Sequence, residues 1–435
     1  MQMTLLTNPI IISVVVMTLL CLFRFNVLLS LLVAALVAGF LSDFTMLHTM
    51  DVLIEGMKGN LKTALSYILL GAIAAAISKT HLTAYLIKLV SHLISHKKYL
   101  LILSLALLSC FSQNLVPIHV AFVPILIPPL LALFNKLKID RRAVACALTF
   151  GLTTPYMILP LGYGLIFQNL LVENLVKNGV LVELKDVTNT MYFAVICMLV
   201  GLFLAVFVFY RKPREYKETQ IANMDFDKLA MTHKEWAVLA GLVLTLVCQI
   251  ITLNLPLSGL LGFLLMVILG GVEYKKVNFV FDDGIKMMGF IAFVMLVAAG
   301  YGEVLNQSKA MDVLVNSVVP WMEYSKFLAI FFMLIIGLII TMGIGTSFGT
   351  IPIIATLFCP ICLQLGFNPA LIIFILGVAG ALGDAGSPAS ETTLGVSVGL
   401  NADNNHDHIK DTCIPTFIFY NGSLLFVGSL IALFL

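Results

Sequence analysis

Apolar runs long enough to cross a bilayer recur from one end of this chain to the other, and the polar segments between them are short. In hydrocarbon every backbone N–H and C=O must find its partner within the protein, so each run is read as a helix. Charged residues make up 11% of the 435 residues and hydrophobic ones 60%, against a charged share of about 25% in soluble domains. No polar segment is long enough for a separate soluble domain. A net charge of +2 gives no footing for nucleic acid. The expected fold is an all-α polytopic membrane protein whose immediate partner is the lipid bilayer.

Ten spans are expected near 8–22, 27–42, 62–78, 143–169, 190–210, 236–254, 258–271, 287–304, 370–400 and 414–434. The first is retained, because residues 1–9 lack the basic start of a signal peptide. Regions 99–134 and 327–365 are too long for one helix and too short for two spans with a loop, so they read as re-entrant hairpins. This arrangement gathers 19 basic residues on one side, six of them in the linker 211–235, and leaves 6 on the other. The basic side is expected in the cytoplasm, with both termini outside. Segments 79–98 and 309–326 are amphipathic and read as interfacial arms beside the hairpins.

The linker divides the chain into halves, 1–210 and 236–435. Gly56-Met57-Lys58 and Gly284-Ile285-Lys286, 228 residues apart, are read as opening the third span of each half. The hairpin break at Ser112-Gln113-Asn114 answers the one at Gly345-Thr346-Ser347. A helix broken at Thr153-Thr154-Pro155, within 143–169, answers one broken at Ser387-Pro388, within 370–400, at a spacing of 233. Each half holds five spans, an odd number, so the second half is inserted upside down. Two inverted repeats with broken helices are the plan of secondary transporters.

The stretch Gly-Asp-Ala-Gly-Ser-Pro-Ala-Ser at 383–390 follows a continuous apolar run. Unwound backbone at membrane depth persists only where it is buried in protein or lines a cavity. Freed carbonyls, half-helix ends and short hydroxyl or amide side chains offer neutral oxygens to a cation. Candidate ion or substrate ligands are Ser112, Gln113, Asn114, Thr153, Thr154, Thr346, Ser347, Asp384 and Ser387; helix capping is their structural alternative. Asp384 adds a negative charge that a proton or Na+ must neutralise. Glu391, two turns on if helix resumes after Pro388, is a second proton-coupling candidate, and His119 a third. His406-Asp407-His408 reads as a solvated loop. Cys359-Pro-Ile-Cys362 reads as ordinary membrane helix, and no metal site beyond one for Na+ is expected.

Residues 112–130 (SQNLVPIHVAFVPILIPPL) and 383–395 (GDAGSPASETTLG) resemble the NhaC-like sodium/proton antiporter family. That family lies in the ion-transporter superfamily, which also holds dicarboxylate and citrate carriers. The resemblance covers nearly the whole chain. It implies a homodimer with elevator-like alternating access, in a bacterial cytoplasmic (inner) membrane, with Na+ sites where a hairpin tip meets a broken helix. It implies Na+ and/or H+ as coupling ions and no other cofactor. The carriers of dicarboxylates have Ser-Asn-Thr tips, and this chain departs from them. Some members of the branch carry names of amino-acid (histidine) permeases, so the substrate is a small ion or an amino acid. Na+/H+ exchange is the leading expectation, and a Na+- or H+-coupled amino-acid permease stands beside it. An intramembrane aspartyl protease would need a second aspartate after Tyr or Phe in a span. The Phe-Asp pairs at 226–227 and 281–282 fall in segments read as polar loops, so no enzyme is expected.

Overall fold

The computed structural model describes residues 8–23, 25–80, 82, 98–114, 123, 127–216, 231–252, 254–308, 320, 324–344, 347–388 and 390–435. Among these residues the regular structure is entirely helical. The first half carries α1 (Pro9–Leu22), α2 (Val27–Leu41), α3 (Met46–Met57), α4 (Leu61–Ser78), α5 (Lys98–Asn114), α6 (Leu131–Lys136), α7 (Arg141–Ile158), α8 (Tyr163–Lys177) and α9 (Leu184–Phe209). The second carries α10 (His233–Thr252), α11 (Leu255–Ile268), α12 (Val277–Gln307), α13 (Lys326–Ile344), α14 (Ser347–Gln364), α15 (Pro369–Ala381), α16 (Glu391–Leu400) and α17 (His408–Ala432). Five described helical segments are long and apolar enough to cross a membrane, and two bent pairs bring the number to seven. Five more apolar helices are 10–17 residues long.

The bent pairs are α3 with α4, at 56°, and α7 with α8, at 47°. Against the first pair lies α12, unbroken over 31 residues. The two run antiparallel and nearly touch. A Cβ on Gly56 would lie 2.9 Å from Gly300 Cα, and one on Gly284 would lie 2.4 Å from the Ala72 nitrogen. Small residues let membrane helices approach this closely. Neither glycine opens a span as expected: Gly56 closes α3 and Gly284 lies inside α12.

The break in the first half also differs from the sequence expectation. Thr153, Thr154 and Pro155 lie within α7, which continues to Ile158. Pro155 removes one N–H without ending the helix. The end comes at Leu159, which precedes Pro160 and takes an extended backbone (φ −97°, ψ 123°), since a residue before proline is forced out of the helical region. Gly162, at φ +54°, then turns the chain into α8.

One spacing relates the halves. The pairs Val27/Leu255, Lys98/Lys326, Arg141/Pro369 and Tyr163/Glu391 each begin a helix, and each pair is 228 residues apart. Their caps match as well. Asn26 and Asn254 each accept from the N–H three residues on, and Lys138 and Gly366 both have positive φ. The spacing of 233 read at the broken helices is replaced by 228, which aligns Pro160 with Pro388.

Candidate functional site

Four elements converge on residues 382–390. After α15, Leu382 leaves the helical region and Gly383 takes φ +90°. A side chain at 383 would be strained there, and its Cβ would press on the Met342 nitrogen at 3.0 Å. The Gly383 N–H, freed from the helix, donates to Asn421 Oδ1 of α17 at 3.1 Å. Ser387 Oγ donates to the Met342 carbonyl at the end of α13, 3.2 Å away. Thr341 Oγ1 reaches across from α13 to the Ala379 carbonyl at 3.1 Å. The break is thereby fastened to the end of α13.

The Asp384 carboxylate sits in this break, partly buried. The buried Tyr156 hydroxyl of α7 donates to Asp384 Oδ2 at 2.9 Å, and Ser347 Oγ, the first residue of α14, lies 3.0 Å from the same phenol oxygen. Ser390 Oγ lies 3.0 Å from Oδ1 and 2.6 Å from the Asp384 carbonyl. None of the hydrogen-bond partners of Asp384 among the described residues is basic or a second carboxylate. Among the described residues the site therefore holds one carboxyl group within a shell of hydroxyls.

Thr153 and Thr154 are buried on α7, and neither hydroxyl has a hydrogen-bond partner among the described residues; the same holds for Thr149 and Thr392. Thr149, Thr153 and Tyr156 lie at helical spacing along one stripe of α7. Buried hydroxyls without partners are costly and leave oxygens available to a cation. Ser112, Gln113 and Asn114 lie in α5 at the edge of the described residues, and their side chains and the chain that follows them lie outside. So do His119, Thr346 and the side chain of Glu391, which is the first residue of α16. The arms 79–98 and 309–326 and the linker lie largely outside them too. Sequence reasoning missed Tyr156 and Asn421. The 228 spacing was the available signal for Tyr156, which stands that far before Asp384. Phe-Tyr-Asn-Gly around Asn421 carries no local signal.

Removing the Tyr156 hydroxyl while keeping its ring is expected to slow any cation coupling at Asp384 about tenfold, the weight of one hydrogen bond to a charged group. Rates of Tyr156→Phe in reconstituted vesicles check this. An unchanged rate would mean that the phenol does not hold the carboxylate in its working position.

A second polar cluster lies at the start of α7. Arg141 and Asp403 form a two-pronged ion pair at 2.6 and 2.5 Å, with both side chains fully buried. Arg141 also donates to the Leu400 carbonyl and Asn135, and its guanidinium stacks on Tyr216 at 4.3 Å. Arg214 joins Asp411 at 2.7 Å. Burial alone would raise the Asp403 carboxyl, but Arg141 and Asn405 hold it below its ordinary range. The expected solvated loop is thus a packed network, because arginines distant in sequence reach its acids.

His406 is buried within the network, Nε2 against Thr412 Oγ1 at 2.7 Å. Burial pushes its pKa below the usual value. Asp411 opposes the shift, and Arg141 and Arg214 add to it. The unfolded chain takes up this proton near pH 6.5 while the folded one resists, so stability is full above that pH and falls as pH drops below it. Melting temperature is expected to decline between about pH 6.5 and 5, and His406→Gln to flatten the slope. An equal slope in the variant would place the titration elsewhere.

A model of the Na+/H+ antiporter family matches residues 147–429, and a second model, described as the Na+-H+ antiporter family, matches residues 8–94. An uncharacterized membrane protein of Haemophilus influenzae is 43% identical, covering 99% of this chain and all of that protein. A Bacillus subtilis protein named putative amino acid transporter YuiF is 42% identical over 98% of this chain and its own full length. The crystal structure of the Alcanivorax borkumensis YdaH transporter superposes with a TM-score of 0.61 at 13% identity, covering 88% of this chain and 87% of that one. The fold is that of a multi-pass membrane transporter and not of an enzyme, which removes the protease reading.

Proposed function

Because the chain belongs to the Na+/H+ antiporter family, we propose that this secondary transporter exchanges Na+ for H+ at Asp384 by alternating access. The observation that carries the reading is the carboxylate in a helix break, held among the described residues by hydroxyls. Such a charge crosses low-dielectric surroundings only when neutralised. A proton or Na+ does this, and a dicarboxylate does not. The hydroxyls of Thr149, Thr153, Thr154 and Thr392, which have no hydrogen-bond partner among the described residues, are proposed as further oxygens for the ion, together with Ser347 and Ser387. Ser112, Gln113, Asn114 and Thr346 complete the proposed ligand set, and Glu391 and His119 are secondary proton carriers.

The halves act as inverted repeats. The common 228 spacing supports this, and so does the reciprocal contact in which Gly56 meets Gly300 while Gly284 meets Ala72. Positions 56 and 284 correspond, as do 72 and 300, so the contact has the two-fold form of an upside-down repeat. Helices α5–α8 and α13–α16 form the moving unit, and α1–α4 with α10–α12 form a scaffold at which two subunits meet. The Arg141 end faces the cytoplasm of a bacterial inner membrane, and both termini face outward.

Vesicles with an imposed pH gradient, reported by a quenched dye, test the reading. Na+ added without organic solute is expected to dequench the dye promptly. No response to Na+, Li+ or K+ from folded, inserted protein contradicts it. A second reading, Na+- or H+-coupled amino-acid transport through the same site, is favoured by the name of the Bacillus subtilis relative.

A further inference from the structure

The half-helices that leave the two breaks, α8 and α16, are counterparts 228 residues apart, yet they are buried differently. One face of α8, carrying Tyr163, Ile166 and Lys177 at helical spacing, is closed against α4, α11 and α12. The Tyr163 hydroxyl donates to Met288 Sδ at 3.0 Å, and its ring meets that of Tyr67 at 5.7 Å. Ile166 lies beside Lys62, Ser66 and Leu255. At the far end of α8, Lys177 pairs with Glu303 of α12 at 2.7 Å, and Gln307 donates to the same carboxylate at 3.1 Å. Ile166 and Leu170, on this face, are 2% and 0% exposed.

The corresponding face of α16 is open. Leu394 and Val398, the counterparts of Ile166 and Leu170, are 44% and 59% exposed. The open face reaches the break itself, where Pro388, four residues from Asp384, is also exposed. The scaffold residues beside Ile166 have counterparts of their own at the same spacing. Lys62 corresponds to Phe290, Ser66 to Val294 and Leu255 to Val27. Of these, Phe290 is 52% exposed, so both members of the pair that answers Ile166 and Lys62 stand open.

Inverted repeats make equivalent contacts at opposite ends of the molecule in the two halves of a transport cycle. With α8 shut and α16 open, the structure is one such state, and exchanging the roles of the halves gives the other. We propose that α8 and α16 are alternating gates and that the Lys177–Glu303 pair latches the first. Release of that pair frees α8 from the scaffold and lets the open face of α16 close on α12, bringing Leu394 against Phe290. In the orientation proposed above, the structure is closed outside and open to the cytoplasm. This inference rests on alternating access between the two repeats, and it applies to an ion and to an amino acid alike.

The test uses two cysteine pairs in the full-length protein in vesicles, Lys177→Cys with Glu303→Cys and Phe290→Cys with Leu394→Cys. Oxidised wild type serves as the control for the native cysteines, and melting curves confirm that the variants are folded. Links within one chain are counted by mass spectrometry. The first pair is expected to link readily, to stop Na+-driven proton movement and to regain it on reduction. The second pair is expected to link slowly. Adding Lys177→Gln to it is expected to raise its yield about fivefold, the weight of one partly buried ion pair. Full-rate exchange with the first link in place overturns the latch. A second pair that never links, or a yield that Lys177→Gln leaves unchanged, overturns the paired gates while leaving exchange at Asp384 standing. Link yields do not depend on what is carried. Wild type that moves no proton with Na+ therefore removes the antiport reading alone, and the response of the second pair to Lys177→Gln still decides the gates.

Discussion

Asp384→Asn is expected to abolish Na+-driven proton movement in reconstituted vesicles, by at least about a hundredfold, or roughly 2.7 kcal/mol in the barrier. Asparagine has nearly the shape of aspartate; its amide oxygen keeps one of the two hydrogen bonds that Asp384 accepts from Tyr156 and Ser390, and at the other position its NH2 donates to the hydroxyl oxygen instead, so the break keeps its shape. What it lacks is the negative charge. It cannot bind a proton at working pH, and it offers Na+ a neutral oxygen where a full charge is needed. The substitution removes a partly buried ionisable group, so the variant is expected to melt at or above the wild-type temperature. Lost exchange with retained stability is the signature of a coupling residue. Lost exchange with lost stability would assign Asp384 to holding the break together instead. Undiminished exchange would remove it from the mechanism.

Arg141→Met is expected to produce the largest loss of stability. The pair with Asp403 is fully buried, and removing one member leaves the other charged and unsolvated, at a cost of about 3–5 kcal/mol. Arg141 further joins α7 to the end of α16 through the Leu400 carbonyl and to the start of the linker through Tyr216. Thermal unfolding in detergent, followed by size exclusion, measures the loss. The double variant Arg141→Met with Asp403→Leu is expected to recover most of it, because an apolar pair of similar volume leaves no charge stranded. A single variant as stable as wild type would mean that water or another base reaches Asp403.

Some of this architecture is legible in the chain, for local reasons. Gly, Asp, Ser and Pro inside an apolar run mark the break at 383–390, since lipid tolerates such residues only at a site. Helical class follows from the recurring apolar runs. The first break was misplaced because Thr-Thr-Pro looks like a helix breaker. Yet Pro155 is accommodated inside α7, and Pro160 ends the helix through the residue before it. That error shifted the alignment from 228 to 233 and hid Tyr156, whose position answers that of Asp384. Asn421 depends on a contact 38 residues away and the Arg141 network on one 262 residues away, neither of which periodicity or composition encodes. His406 shows the same limit. A His-Asp-His run reads as solvated until two distant arginines fold over it.

In the proposed mechanism one site takes either H+ or Na+. Equilibrium binding of labelled Na+ to the purified protein, measured across pH with proton release recorded together, tests it most directly. Exchange at Asp384 predicts one proton released for each Na+ bound, an apparent affinity that weakens about tenfold per pH unit on the acid side, and loss of both in Asp384→Asn. Na+ binding that is independent of pH and releases no proton would contradict it.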